Sequence, residues 1–197
     1  EAILELVANY KQILVVQKTG WGKSAVYFIA TKLMREQNKG PSIIISPLIA
    51  LMRNQVESAS RLGLKVVTVN SSLQQHERSS NEQIITSGLA DAIIIAPEQL
   101  ANENFVQNVL SETLSKVSLF VVDEAHCISD WGHDFRPDYR RIVRILKAMP
   151  KTLPVLATTA TANDRVVSDI KNQLGHHILI SRGGLTREAL RLQTVQS

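Results

Sequence analysis

Short apolar runs that alternate with longer mixed stretches constrain the fold of this 197-residue chain more than any other feature. In three of these runs, residues 43–45, 93–95 and 119–122, every position is apolar. Such strands are typical of parallel sheets, because the connecting helices cover both faces of the sheet. The alternation therefore predicts an α/β fold, a three-layer domain with a mainly parallel central sheet and right-handed crossovers.

The hydrophobic pattern divides the chain into strands and helices, with further helical turns after Pro97. The predicted strands cover residues 12–17, 42–46, 65–70, 91–96, 116–122, 154–159 and 177–181. The predicted helices cover residues 22–36, 47–61, 74–87, 137–148 and 163–174. Ser46 and Pro47 are expected to start the second helix as its cap and its first residue. No repeat or linker interrupts the pattern, so we expect one domain over residues 1–197.

Composition excludes several classes of protein. With 44% hydrophobic and 20% charged residues, the chain is not of the intrinsically disordered type. Its single cysteine, Cys127, allows no internal disulfide, and its apolar runs are far shorter than a membrane span. The net charge of +4 mildly favours a polyanionic partner. The 5% aromatic content leaves only a few rings to stack on bases.

A glycine-rich segment over residues 17–24 lies between the first predicted strand and the first predicted helix. Its ending, Gly22-Lys23-Ser24, matches the phosphate-binding P-loop. Glycines at 20 and 22 let backbone N–H groups curl towards a phosphate, and the helix N-terminus adds partial positive charge. Lys23 is predicted to reach the β- and γ-phosphates and Ser24 to bind Mg²⁺. The predicted nucleotide-binding loop consists of Thr19, Gly20, Trp21, Gly22, Lys23 and Ser24. The strict pattern has glycine in place of Gln17, so an ordinary glycine-rich turn is the alternative.

Two acids, Asp123 and Glu124, end a predicted buried strand. The carboxyl ends of parallel strands share one edge of the sheet, so these acids are predicted to lie beside the P-loop. Asp123 would hold Mg²⁺ directly or through water, and Glu124 would orient or deprotonate an attacking water. A solvated Asp-Glu turn is the alternative for the acids alone. A metal site made of His126, Cys127, His133 and Asp134 is disfavoured, because the spacing matches no zinc pattern.

The Gly-Lys-Ser and Asp-Glu-Ala-His segments together resemble those of superfamily 2 helicases. Residues 125–140 narrow the resemblance, because they are similar to the aromatic-rich loop that follows motif II in RecQ-family DNA helicases. Four further segments resemble helicase motifs: residues 46–55 motif Ia, 70–72 the next turn that faces nucleic acid, 96–100 motif Ib and 157–162 motif III. The resemblance extends from the first strand to about Arg191.

The resemblance implies a RecA-like P-loop NTPase domain, the first motor lobe of an ATP-dependent 3′–5′ DNA helicase that acts in DNA repair and recombination. The implied cofactors are ATP and Mg²⁺, and the implied partner is single-stranded DNA or DNA with a single-stranded tail. Residues from about 185 to 197 would start the connection to a second RecA-like lobe that this chain lacks. No membrane and no small-molecule substrate beyond ATP are expected. The implied location is cytoplasmic, at the nucleoid in a bacterium, or nuclear in a eukaryote.

The resemblance also implies roles for individual residues. Catalysis would depend on Lys23, Asp123, Glu124 and His126. The residues implied to contact DNA, or to couple that contact to hydrolysis, are Asn70, Ser71, Trp131, His133, Phe135, Arg136, Thr159 and Thr161. His126 would signal towards the two threonines.

The chain departs from the usual family pattern at several positions. Gln17-Lys18 replaces Met-Pro, Trp21 replaces glycine, Asp130 replaces glutamine and Thr158 replaces leucine. None of these changes removes a residue that phosphate or metal chemistry requires. The adenine-recognising motif is expected upstream of Glu1. We therefore expect the lobe by itself to hydrolyse ATP weakly or not at all.

Two other functions remain open. A superfamily 2 RNA helicase lobe also carries the Asp-Glu-Ala-His segment, so only the loop over residues 131–136 favours DNA. A non-catalytic nucleotide-binding or DNA-binding module is disfavoured by the intact Lys23, Ser24, Asp123 and Glu124. Tyr27, Phe28 and Met34 are predicted to be core residues, and residues 139–147 to be an ordinary amphipathic helix.

Overall fold

The computed structural model of the chain describes residues 2–9, 11–129, 136–175 and 177–183. One seven-stranded sheet organises these residues, in the order β3-β4-β2-β5-β6-β1-β7, and every pairing is parallel. The strands are β1 (Gln12–Val16), β2 (Ser42–Ile45), β3 (Val66–Val69), β4 (Ala92–Ile95), β5 (Leu119–Val122), β6 (Val155–Thr159) and β7 (Leu179–Arg182). The predicted α/β fold class is thereby confirmed.

Helices connect the strands and cover both faces of the sheet. They are α1 (Ala2–Val7), α2 (Lys23–Glu36), α3 (Ile49–Ser60), α4 (Gln75–Thr86), α5 (Glu103–Phe105), α6 (Ser111–Lys116), α7 (Tyr139–Ala148) and α8 (Asp164–Leu174). Two 3₁₀ turns, Pro97–Ala101 and Ala125–Ile128, and a π-helical stretch, Val106–Leu110, complete the described elements. Every helix among the described residues is too short or too polar to cross a membrane.

Two hydrophobic clusters, one on each face of the sheet, form the core. Side chains from alternate strand positions, such as Ile43 and Ile45 on one face and Ile44 on the other, enter opposite clusters. Helices α4 to α8 contribute to the first cluster, and α1, α2 and α3 contribute to the second. These two apolar layers explain why the central strands β4 and β5 are apolar at every position.

The predicted core helices are confirmed. Tyr27, Phe28 and Met34 of α2 are each at most 1% exposed. In α7 the side chains of Ile142 and Val143 are buried, while Arg140 and Arg144 are exposed, as an amphipathic helix requires.

The prediction that Ser46 caps α3 is wrong. The helix begins at Ile49, its cap position is Leu48, and Pro47 precedes both. The Ser46 hydroxyl points instead to the carboxylate of Asp123. Helix α1 has no counterpart in the sequence analysis, because six residues are too few for a clear periodicity.

We expect Gly40→Ala to destabilise the fold. A Cβ built on Gly40, between α2 and β2, would overlap the backbone carbonyl oxygen of Lys116. The free energy of unfolding should fall by about 1–3 kcal/mol, the usual effect of overpacking. Urea denaturation measures this change. Glu36→Ala, at an exposed position on α2, is the matched control and should leave stability within about 0.5 kcal/mol. An equally stable Gly40→Ala protein would contradict the close backbone contact.

Candidate active site

The carboxyl ends of four adjacent strands bring the predicted catalytic residues together. Strands β2, β5, β6 and β1 are neighbours in the sheet. Ser46 follows β2, Asp123 follows β5, Thr159 ends β6 and Gln17 follows β1. Because all four strands are parallel, these positions share one edge, where open α/β sheets bind ligands.

The glycine-rich loop between β1 and α2 depends on two left-handed residues. Gly20 and Gly22 have φ values of 84° and 94°, which residues with a Cβ rarely adopt. Gly22 is also the N-cap of α2, so the loop leads directly into the helix N-terminus. The ammonium group of Lys23 donates to the carbonyl oxygen of Gln17 at 3.2 Å and so lies across the loop. The Trp21 side chain is 47% exposed and projects outward.

Gln17 departs from the strict P-loop pattern, and the structure accommodates its side chain beside β7. A Cβ built on Gly183 would overlap the amide group of Gln17. The Gly183 N–H also donates to the Val16 carbonyl oxygen at 3.2 Å. Gly183 therefore leaves the space that this larger side chain needs.

The Asp123 side chain is only 8% exposed and is held by several donors. Its Oδ1 accepts from Thr158 Oγ1 at 2.6 Å and from the Glu124 N–H at 3.1 Å. Its Oδ2 accepts from Gln55 Nε2 at 3.4 Å and from Ser46 Oγ at 3.5 Å. Burial raises the pKa of this carboxyl, and the Glu124 charge raises it further, while the Thr158 hydrogen bond and Lys23 lower it. Burial therefore makes the ionised form of Asp123 energetically unfavourable when no cation is bound.

Glu124 lies in a left-handed conformation, with φ 48° and ψ 49°. A residue with a Cβ adopts this region at a cost of about 1–2 kcal/mol. Burial raises the pKa of Glu124, but the hydrogen bond and charge of His126, with Lys23 and the Ala160 N–H, outweigh it. The pKa therefore lies below its usual value, and Glu124 is ionised at neutral pH.

His126 connects Glu124 to β6. Its Nδ1 lies 3.2 Å from Glu124 Oε2 and 3.0 Å from Thr159 Oγ1. Both oxygens thus lie within hydrogen-bond distance of the same ring nitrogen. Thr159 Oγ1 also accepts from the Thr161 N–H at 3.2 Å, which ties the chain after β6 to the same group.

Tyr27 and Gln55 belong to the site, although the sequence motifs predicted no polar role for either residue. Gln55 Nε2 donates to the Tyr27 hydroxyl at 3.0 Å as well as to Asp123. Burial keeps the pKa of the Tyr27 hydroxyl well above the usual value. The spacing of Tyr27 on α2 pointed to the core, and its ring is there, but no sequence signal indicated its hydroxyl's partners.

The residues predicted to contact DNA are only partly described. Asn70 is 4% exposed, and its Oδ1 accepts from the Ser72 N–H and hydroxyl. Its side chain orders the turn after β3 and is not free to contact DNA in this conformation. Ser71 is exposed, and its hydroxyl donates to Glu98 of the neighbouring turn at 3.4 Å. Arg136 is half-buried, and its N–H donates to the Cys127 carbonyl oxygen.

Several predictions concern residues outside the described ranges. These residues are Asp130, Trp131, His133, Asp134, Phe135 and the connection over residues 185–197. Their predicted roles stay predictions.

The donor set at the strand ends suits a hard cation. Ser24 supplies a hydroxyl oxygen and Asp123 a carboxylate oxygen, and Mg²⁺ prefers such oxygen ligands beside water and phosphate. Among the described residues, no group of three His, Cys, Asp or Glu side chains could hold a metal ion by itself. A protein site with few direct ligands fits a cation that arrives with a nucleotide.

Known proteins resemble the chain in sequence and fold. A family model described as DEAD/DEAH box helicase matches residues 1–170. The chain is 39% identical to the ATP-dependent DNA helicase Q5 of Rattus norvegicus, over 86% of this chain and 17% of that protein. It is 36% identical to the ATP-dependent DNA helicase RecQ of Haemophilus influenzae, over 88% of this chain and 27% of that protein. The chain thus spans less than a third of either relative.

A solved structure shares the fold. The crystal structure of a hypothetical ATP-dependent RNA helicase from Sulfolobus tokodaii matches with a TM-score of 0.66. The identity is 20%, and the match covers 92% of this chain and 52% of that chain. At this identity the likeness concerns the fold alone.

We expect opposite effects on stability from neutralising the two neighbouring acids. Because the pKa of Asp123 is raised, the folded chain holds a proton there more tightly than the unfolded chain does. The stability that this residue contributes is therefore greatest at low pH and declines as pH rises through the raised pKa. Asp123→Asn should raise the melting temperature at pH 7, without nucleotide or Mg²⁺, and the gain should shrink at acid pH.

Glu124→Gln is the matched comparison. The lowered pKa of Glu124 means that its stabilising contribution is present at neutral pH and lost as pH falls through that pKa. The melting temperature should decrease at pH 7 and approach that of the unsubstituted protein at low pH. Calorimetry across pH measures both variants, and shifts of the same sign would contradict the opposite environments.

Proposed function

Since this chain belongs to the DEAD/DEAH box helicase family, we propose that it is the first motor lobe of a RecQ-type ATP-dependent DNA helicase. Its relatives named RecQ or Q5, at 36–39% identity, confirm the resemblance that the motifs predicted. The observation that carries the proposal is the convergence of Lys23, Ser24, Asp123 and Glu124 on one sheet edge, with a hydrogen-bonded buried carboxylate at its centre.

The P-loop would bind the phosphates of ATP. Left-handed Gly20 and Gly22 shape the backbone so that N–H groups can face an anion at the start of α2. Lys23 already lies across this loop, where its only described hydrogen bond is to a neutral carbonyl oxygen. A phosphate would offer the ammonium group a charged and therefore stronger acceptor.

Ser24 and Asp123 would hold Mg²⁺ when nucleotide is bound. The cation would supply positive charge that neutralises the phosphate oxygens as bond cleavage develops. The residues of this chain would fix its position from the protein side.

Glu124 would accept a proton from the water that attacks the γ-phosphate. Its lowered pKa keeps it ionised at neutral pH, and its left-handed backbone holds the carboxylate against His126. The water proton would pass to the Glu124 carboxylate as the water oxygen bonds to the γ-phosphorus. The bond from that phosphorus to the ADP oxygen would break at the same time. The altered charge on Glu124 would then change the contact between His126 and Thr159.

The DNA part of the proposal rests on the motif resemblance. The turn that carries Ser71, the segment from Arg136 and the chain at Thr161 would form the described part of the DNA-facing surface. Trp131, His133 and Phe135 would sense the strand, and movement would run 3′–5′ across this lobe and a second RecA-like lobe. We propose that the protein acts where DNA is processed, at the bacterial nucleoid or in the eukaryotic nucleus.

Lys23→Ala should weaken ATP binding roughly tenfold to a hundredfold, because a charge-assisted contact to phosphate is lost. Glu124→Gln should retain ATP binding and slow hydrolysis by about 10²–10⁴-fold, because the proton acceptor is lost. Equilibrium binding and steady-state hydrolysis by the full-length protein measure these effects.

Lys32→Ala is the matched control, since Lys32 is an exposed lysine on the same helix. Its binding and turnover should equal those of the unsubstituted protein. Normal hydrolysis by Lys23→Ala and Glu124→Gln would overturn the proposal. Nucleotide binding without turnover in the unsubstituted protein would favour a non-catalytic module.

Single-stranded DNA should stimulate hydrolysis by the full-length protein, and RNA of the same length should not. A duplex with a 3′ single-stranded tail should be unwound in preference to one with a 5′ tail. Equal stimulation by RNA would instead support the RNA helicase alternative, and preference for the 5′ tail would overturn the direction.

A further inference from the structure

Two polar side chains lie behind the proposed cation ligand Asp123. Tyr27 lies on α2, three residues after Ser24, and Gln55 lies on α3. Gln55 Nε2 lies 3.0 Å from the Tyr27 hydroxyl and 3.4 Å from Asp123 Oδ2. The hydrogen-bonded path Tyr27–Gln55–Asp123 is called the rear bridge below.

We propose that Tyr27 and Gln55 are positioning residues, which fix the orientation of the Asp123 carboxylate and thereby determine the affinity for a divalent cation. The inference rests on the proposed function, because it concerns the cation that would accompany ATP. It extends that function to two residues that neither touch the nucleotide nor belong to the P-loop and acidic segments.

Hydrogen-bond roles along the rear bridge are compatible with this purpose. The Tyr27 oxygen accepts from the Gln55 amide, which fixes the orientation of that amide. The same Gln55 amide donates to Asp123. Partners behind a metal ligand orient it in this way, so this pair of side chains holds the Asp123 carboxylate in place.

Stability alone does not account for these polar groups. Tyr27 is 1% exposed and Gln55 is 9% exposed. Within the described residues, Gln55 Oε1 is a buried side-chain oxygen without a hydrogen-bond partner. An unpaired buried acceptor is unfavourable, and leucine would fill a similar volume without it. A functional constraint on the Asp123 carboxylate explains why an amide is present here.

Alternative roles make different predictions. If Gln55 and Tyr27 only fill the core, their removal changes stability and leaves the Mg²⁺ requirement unchanged. If they position the Asp123 carboxylate, removal changes the Mg²⁺ requirement, while ATP binding at saturating Mg²⁺ persists. The two readouts therefore separate packing from positioning.

The experiment uses the full-length protein with Gln55→Leu, Tyr27→Phe and the double variant. Fluorescent N-methylanthraniloyl-ATP binding is titrated with Mg²⁺, and the melting temperature is measured in parallel. Each single variant should raise the Mg²⁺ concentration for half-maximal binding by roughly tenfold, the lower range for loss of a partner behind a metal ligand. The double variant should show little further increase, because either change breaks the same bridge.

Thr31→Val is the matched control. Thr31 is also fully buried on α2, and its hydroxyl contacts the Tyr27 backbone oxygen and the Ser42 hydroxyl, away from the proposed cation ligands. Its removal should lower the melting temperature and leave the Mg²⁺ requirement unchanged. Gln55→Leu should show the reverse pattern.

An unchanged Mg²⁺ requirement in Tyr27→Phe, or additive effects in the double variant, would overturn the rear bridge. If Gln55→Leu does not fold, Tyr27→Phe carries the test, because it removes one oxygen atom only. Lys23→Ala separates failure of the rear bridge from failure of the proposed ATP-binding function. If that variant loses ATP binding while the bridge variants keep a normal Mg²⁺ dependence, the rear bridge is overturned and the proposed function is retained. Absence of Mg²⁺-dependent binding in the unsubstituted protein would overturn both.

Discussion

The buried carboxylate of Asp123 is the group on which the candidate site depends. A charge at the end of β5 loses much of its hydration, and only aimed donors offset that loss. The donors come from separate parts of the chain: Ser46 after β2, Gln55 on α3 and Thr158 on β6. Each of these elements is fixed by the two apolar layers. The packing of the core therefore controls the geometry around one acidic side chain.

Two adjacent acids are given different properties by their surroundings. Asp123 is enclosed and its pKa is raised, whereas Glu124 is held ionised by His126 and Lys23. Glu124 has a left-handed backbone conformation, and its carboxylate lies beside His126 instead of among the donors around Asp123. Two carboxyl groups in one site can have different chemical roles when their surroundings shift their pKa values in opposite directions.

Regular patterns in the sequence predicted most of the fold, because buried parallel strands leave a strong local signal. Residues 43–45 and 93–95 could form little else, and the P-loop and acidic segments fell on the predicted edge. The partners of Asp123 were not predictable, since Gln55 and Asp123 meet only after helix and sheet pack together. Ser46 was assigned to a helix cap because local spacing favoured that role, and a tertiary contact to Asp123 prevailed. Thr158 was noted only as a departure from a family pattern, and its hydroxyl proved to contact Asp123.

The strand order also determines when the site can be assembled during protein synthesis. Strands β2, β3, β4 and β5 pair among themselves, so half of the sheet can form early. In contrast, the described partners of β1 are β6 and β7, from Gln12 beside Val155 to Val16 beside Arg182. Among the seven described strands, β1 is synthesised first and therefore waits longest for its neighbours, a costly long-range closure. A nucleotide at the proposed site would stabilise the folded domain, but it would give no protection to the nascent chain.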